Sequence, residues 1–173
     1  RLIHALSQQR SIKNIIANIE TLRSLQKVLR KGEWKITVAI HSKSSRDFKE
    51  IINIWPGFYD GPIYGVAVDV GSTTMAANLC NLETGEVISS TGAMNPQIRF
   101  GEDLMSRVSY SMMNTGGDLE MTKAVIAGLN SLFTEIAEEA KIDKNLILDS
   151  VFVCNPVMHH LLIGIDPFEL GQA

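Results

Sequence analysis

The sequence is poor in cysteine, proline and aromatic residues, and it has no long apolar run. Cys80 and Cys154 are the only cysteines among 173 residues. They supply no C-x-x-C pair, no metal-spaced cluster and no disulfide framework. Each lies inside an apolar stretch, as expected of small buried hydrophobes in a reducing, cytoplasmic setting. No stretch approaches the roughly 18 consecutive apolar residues of a membrane span, so no membrane partner is expected. Arg1-Leu2-Ile3-His4 lacks the charged-then-apolar layout of a secretory leader, and with no initial Met the chain reads as a piece of something longer. Aromatic residues make up 6% of the chain and form no stacking platform beside its basic residues, so nucleic acid is not an expected partner. Neither G-x-x-x-x-G-K-[ST] nor G-x-G-x-x-G occurs, which removes the two commonest Gly-rich phosphate loops.

The composition that remains, 45% hydrophobic and 20% charged, is that of an ordinary globular protein. Its net charge of −3 hides an asymmetry. Residues 1–62 carry 11 Lys+Arg against 5 Asp+Glu, or +6, whereas residues 63–173 carry 5 against 14, or −9. The change falls at Pro56-Gly57-Phe58-Tyr59-Asp60-Gly61-Pro62, a run of turn-forming residues. Two modules are expected, 1–62 and 63–173. The opposite charges suggest that the basic module docks an acidic face of a partner, that the two modules attract one another, or that the charges are simply spread over solvent.

In the first module, Ile12, Ile15, Ile16, Ile19, Leu22, Leu25, Val28 and Leu29 recur at three- and four-residue steps. They predict one helix, with Ser11 as N-cap and Gly32 just past its end. Its basic residues, Lys13, Arg23, Lys27, Arg30 and Lys31, read as a solvated face. Alternation from Trp34 to Ile40 predicts a strand, His41 to Asp47 a polar turn, and Ile51 to Trp55 a second strand. The unit is a small α+β fold with no catalytic constellation.

The second module opens on the apolar run Tyr64–Val70, interrupted only by Asp69 near its end. The chain resumes as a strand from Thr74 to Leu82, turns at Glu83-Thr84-Gly85-Glu86, and begins a third strand at Val87. Three hairpin-linked strands make a meander. A helix follows Gly116-Gly117-Asp118, marked by Met121, Val125, Leu129, Leu132 and Ile136. A strand then runs from Ser150 to Cys154, and Asn155-Pro156 opens a helix that Gly164 ends.

The chemistry concentrates in Asp69-Val70-Gly71-Ser72-Thr73-Thr74. Gly71 permits backbone angles closed to other residues and a close approach to the main chain. The amides and hydroxyls of Ser72, Thr73 and Thr74 can converge on phosphate oxygens, since turn amides that point together form an anion-binding concavity. Asp69 stands where it can hold Mg²⁺ through water, an ion that keeps several of its waters. The same residues could simply satisfy the donors of a tight turn. Asn95, Gln97, Arg99, Glu102, Asp103 and Arg107 form a polar stretch ahead of a helix. They read either as cleft-lining groups or as a capped helix start, with Glu102 and Asp103 near its positive end. His159-His160 is not a chelating pair, because neighbours on a helix point about 100° apart. The methionines Met105, Met112, Met113, Met121 and Met158 read as core filler or partner surface.

The order strand, D-x-G-S-T-T, strand, turn, strand, helix, strand resembles the first subdomain of actin, the heat-shock chaperone ATPases and sugar kinases. That implies an α/β, actin-like (ribonuclease H-like) fold of the ASKHA superfamily. Several blocks resemble reductive activators of corrinoid proteins more specifically: Tyr64 to Ala77, Asn95-Pro96-Gln97, Phe100 to Arg107, and Asn155 to Leu161. Leu25 to Arg30, Trp34 to Ile40 and Ile54-Trp55-Pro56-Gly57 resemble that family's middle domain. The family carries Gly where Cys154 stands. This resemblance implies that the chain holds a middle or linker domain followed by the first half of an ATPase domain. ATP and Mg²⁺ would be its ligands, bound at Asp69, Gly71, Ser72, Thr73 and Thr74. A [2Fe-2S] ferredoxin-like domain would lie upstream, outside this chain, and ATP turnover would drive electron transfer that returns a Co(II) corrinoid protein to Co(I). The implied partners are the corrinoid protein of a methyltransferase system, the upstream domain and a second copy of the chain. With the second phosphate loop and the adenosine site outside the sequence, the isolated chain is expected to bind ATP weakly or not at all. The alternative reading is a small-molecule kinase of the same superfamily. An activator of dehydratases fits less well, because Ala76 and Ala77 follow Met75 and residues 81–153 contain no cysteine.

Overall fold

The computed structural model describes residues 2–42 and 48–171, which form two compact units, Arg1–Gly61 and Pro62–Ala173. Among the described residues no helix is long and apolar enough to cross a membrane.

The first unit contains helix α1 (Leu2–Arg10), strand β1 (Ile15–Ala17), helix α2 (Ile19–Lys31) and strands β2 (Ile36–Ser42) and β3 (Lys49–Pro56). The sheet order is β1-β3-β2, with β1 parallel and β2 antiparallel to β3. The single helix expected from Ser11 is therefore corrected. Ile15–Ala17 pairs with Lys49–Ile51 as a strand. The chain turns helical only at Asn18, whose side chain accepts the Thr21 N–H at 2.8 Å. The apolar recurrence misled because a three-residue strand and the helix behind it run together without a break in hydrophobicity. Ile15 is buried and Ile16 exposed, the period of two that a strand imposes. On α2, Thr21, Leu25 and Val28 face the core while Ile19 and Leu22 are exposed. The expected strand from Trp34 starts at Ile36 instead, because Glu33 and Trp34 adopt positive φ in the turn after Gly32. Of the polar turn read from His41 to Asp47, His41 and Ser42 belong to β2, and residues 43–47 lie outside the described residues.

The second unit is built on β4 (Tyr64–Val70), β5 (Thr74–Asn81), β6 (Val87–Met94) and β7 (Ile147–Cys154) in the order β6-β5-β4-β7. The first three form the antiparallel meander, and β7 returns parallel to β4 after helices α3 (Leu104–Met113) and α4 (Gly117–Glu139). This is the mixed α/β architecture implied by the resemblance. Strand period and helix period meet on one face of the sheet. Tyr64, Val66, Val68 and Val70 of β4 and Met75, Ala77 and Leu79 of β5 alternate inward, where Val125, Leu129, Leu132 and Ile136 of α4 cover them. Asp69, Thr74, Ala76 and Asn78 therefore point to the opposite, exposed face. A smaller cluster of Val108, Met121, Val157, Met158 and Leu161 joins α3 and α4 to the last helix, α5 (Pro156–Ile163). That helix begins as its sequence predicts. Asn155 accepts the Met158 N–H at 2.9 Å, Pro156 takes the first turn, and Gly164 closes the helix in the left-handed conformation at φ 75°.

Candidate phosphate-binding hairpin

The β4–β5 hairpin puts the D-x-G-S-T-T residues at one end of the sheet. Val70 pairs with Met75, the Gly71 N–H donates to the Thr74 carbonyl at 2.9 Å, and Ser72 and Thr73 form the tip. Gly71 does not use a left-handed backbone, contrary to the expectation from its residue type. Its requirement is steric: a Cβ at Gly71 would sit 2.8 Å from the Thr74 carbonyl oxygen, inside the closing bond of the hairpin. Asp69 is exposed one residue before the end of β4, opposite Ala76 on β5 and Val153 on β7. Thr73 and Thr74 are exposed as well, and Ser72 is half-buried.

A buried polar network lies behind the tip. After β6 the chain enters a short 3-10 turn, Pro96–Phe100, capped by Asn95 through a 2.9 Å bond from the Gln97 N–H. The Asn95 main-chain N–H donates to the Thr73 carbonyl at 2.8 Å, and its side-chain Nδ2 donates to the Gly71 carbonyl at 2.8 Å. Between them, Arg107 Nη2 from α3 donates to the Ser72 carbonyl. Arg107 also donates through Nε to the Gly101 carbonyl at 2.9 Å and through Nη1 to Met158 Sδ at 3.0 Å and Gln97 Oε1 at 3.4 Å. Gln97 Nε2 in turn donates to the Met121 carbonyl at 3.0 Å. Asn95, Gln97 and Arg107 are each at most 1% exposed. Three successive carbonyls of the hairpin are thereby held from its buried side.

The polar stretch from Asn95 to Arg107 divides into two roles. Asp103 caps α3, accepting the Ser106 N–H at 2.7 Å, and Glu102 is exposed beside it. Hydrogen bonds from the backbone and side chain of Ser106 hold the Asp103 carboxyl below the usual carboxylate range. Asn95, Gln97 and Arg107 instead serve the hairpin, a role that sequence reasoning missed. A signal was available: Leu104, Arg107, Val108 and Ser111 fall at the spacing of one helix face, and a charged residue on an otherwise inward face is a mark of buried polar structure. Arg99 lies elsewhere, over the Phe100 ring at 4.6 Å. His160 is engaged with the Pro156 carbonyl at 2.8 Å, and its ring stands 6.0 Å from that of His159.

Cys154 ends β7 in register with Val70. Burial pushes its thiol pKa up, and the Asp69 carboxylate pushes it further in the same direction. Less thiolate is present at neutral pH than for a free cysteine, and removing the Asp69 charge lowers the pKa and restores some of it. Asp69→Asn is therefore expected to raise the alkylation rate of Cys154 at pH 8 by roughly twofold or more. Mass-spectrometric readout of iodoacetamide labelling checks this, and an unchanged rate would separate the two side chains electrically.

Two features of the hairpin bear on a nucleotide phosphate: the carbonyls of Gly71, Ser72 and Thr73 are engaged on the buried side, and Thr73 and Thr74 are exposed. For Mg²⁺ it offers the exposed Asp69 alone, since among the described residues no group of three or more His, Cys, Asp or Glu could hold a metal. A single carboxylate suits an ion that keeps most of its water.

Residues 1–61 match the family model described as the RACo linker region, and residues 64–173 match the one described as the RACo middle region. The word "middle" thus falls on the second unit. A curated relative, the corrinoid activation enzyme RamQ of Eubacterium limosum, is 31% identical over 112 residues, which is 65% of this chain and 19% of the relative. A solved reductive activator for corrinoid,iron-sulfur protein superimposes with a TM-score of 0.79 at 31% identity, covering 97% of this chain and 26% of that one. An Aquifex aeolicus member of the Ppx/GppA family overlaps with a TM-score of 0.30 at 10% identity, too little to carry an argument. The chain spans about a fifth of the curated relative and about a quarter of the solved activator.

Proposed function

From the premise that this chain belongs to the RACo family and comprises its linker and middle regions, we propose that it forms the phosphate-holding part of an ATP-dependent reductive activator of a corrinoid protein. The observation that carries the reading is the hairpin at Gly71–Thr74. The carbonyls of Gly71, Ser72 and Thr73 are engaged on its buried side, which turns the Ser72 and Thr73 amides the other way, and Thr73, Thr74 and Asp69 are exposed. Such a tip holds a polyphosphate by hydrogen bonds from fixed donors, with little reorganisation on binding. Magnesium, when bound, would neutralise phosphate charge, and Asp69 is the residue that would hold it through water.

The activator returns an inactive Co(II) corrinoid protein to Co(I), a one-electron reduction. A [2Fe-2S] domain outside these residues would supply the electron, and ATP binding and hydrolysis would favour the conformation in which that uphill transfer proceeds. The name of the curated relative and that of the solved activator support this role, both being proteins of corrinoid activation.

The test uses the full-length protein under anaerobic conditions with a Co(II) corrinoid protein and a low-potential reductant. The visible spectrum is followed for Co(I) with and without Mg-ATP. Co(I) that forms only with Mg-ATP is the expected result. ATP hydrolysis without Co(I), across several corrinoid proteins, would replace this reading with that of a small-molecule kinase.

A further inference from the structure

The geometry points to Arg107 as the positioning residue of the phosphate hairpin, a buried positive charge whose counter-ion is the polyphosphate of the bound nucleotide. This inference rests on the phosphate-binding reading of the hairpin. It adds a residue outside the D-x-G-S-T-T segment and a reason for its charge.

In a trans peptide group the C=O and N–H point in opposite directions. Asn95 Nδ2 holds the Gly71 carbonyl and Arg107 Nη2 holds the Ser72 carbonyl, both from the buried side. The N–H of Ser72 and the N–H of Thr73 belong to those same two peptide groups, so both are turned away from the network. Among the described residues neither N–H has a hydrogen-bond acceptor. The network therefore presets two adjacent donors for an anion.

Every acceptor of the Arg107 guanidinium is neutral: the carbonyls of Ser72 and Gly101, the Gln97 amide oxygen and the Met158 thioether. Among the described residues no carboxylate forms an ion pair with it. Asp103, the acid whose charge acts on it, is exposed and committed to capping α3. Burial accordingly pushes the Arg107 pKa down, with Asp103 opposing. A buried guanidinium without a counter-ion is costly, and packing alone does not call for one, because an apolar side chain could fill the same space. An anion on the Thr73 N–H completes the arrangement. It lies at the far end of the peptide group whose carbonyl Arg107 holds, and hydrogen bonds linked through one peptide polarise each other.

The inference is tested by calorimetric titration of the full-length protein with Mg-ATP and with AMP, which lacks the outer phosphates. Arg107→Met removes the charge at similar length. It is expected to weaken Mg-ATP binding about 10- to 100-fold and to leave AMP unchanged. Arg107→Lys keeps the charge without the fork and recovers part of the loss. An equal loss for both nucleotides, or none for either, would overturn the positioning role while leaving the phosphate reading intact. A wild-type protein that binds no Mg-ATP would instead overturn the phosphate reading. Should Arg107→Met fail to fold, Arg107→Lys decides: a weakening confined to Mg-ATP supports the inference, and unchanged Mg-ATP binding overturns it.

Discussion

Replacing Gly71 by Ala is expected to lower the Mg-ATP-dependent rate of Co(I) formation by about 100-fold or more in the full-length protein. The cause is local. The added methyl would lie 2.8 Å from the Thr74 carbonyl oxygen, a backbone atom that cannot swing aside as a side chain would. That oxygen also accepts the Gly71 N–H at 2.9 Å, so relief of the clash opens the bond that closes the hairpin. The Ser72 and Thr73 donors then move by a few tenths of an ångström or more, against fixed anchors at Asn95 and Arg107. Catalysis by preset donors tolerates little of that. The fold itself should survive, because the core lies further along the strands and under α4. Parallel measurement of the melting temperature separates the two effects. A Gly71→Ala protein of normal stability and full ATP-dependent rate would place the phosphates elsewhere.

Ile136→Ala is expected to destabilise the second unit by about 3–4 kcal/mol. Ile136 is 0% exposed and packs, with Val125, Leu129 and Leu132, against the inward residues of β4 and β5. Truncation removes most of a large buried side chain, and the surrounding strands and helix collapse into the space only in part. In urea unfolding of the 173-residue chain the transition midpoint should fall while the slope stays constant, the mark of lost stability without a change in exposed surface. A loss below about 1 kcal/mol would mean that α4 does not rest on the sheet at this position.

These two sites differ in how visible they are before folding. The apolar alternation of β4 and β5 and the three- to four-residue recurrence in α4 are separate periodicities, each clear in its own segment, so the covered face of the sheet follows from residue order. The hairpin is equally visible, since D-x-G-S-T-T interrupts two apolar runs. The cap at Asn155 and the stop at Gly164 are legible for the same reason: each acts on amides or carbonyls within a few residues. In the first unit Ile12 to Leu29 keep one apparent rhythm across a strand and a helix, which hides the boundary between them. A three-residue strand is too short to establish its own period, and only its partner, Lys49–Ile51, makes Ile15–Ala17 extended.

Residue order by itself determined the locally encoded parts of this protein: strands, the long helix, caps, and a hairpin rich in small hydroxylated residues after an acid. Those features depend on steric limits and hydrogen bonds that span a few residues. The tertiary structure decided what holds the hairpin tip. Asn95, Gln97, Arg107 and Met158 come from a turn and two helices up to 87 residues beyond Gly71, and nothing local links them. They meet because burying the apolar faces of α3 and α5 carries polar groups into the same interior. A buried polar group must find partners there, and the nearest carbonyls are those of the hairpin.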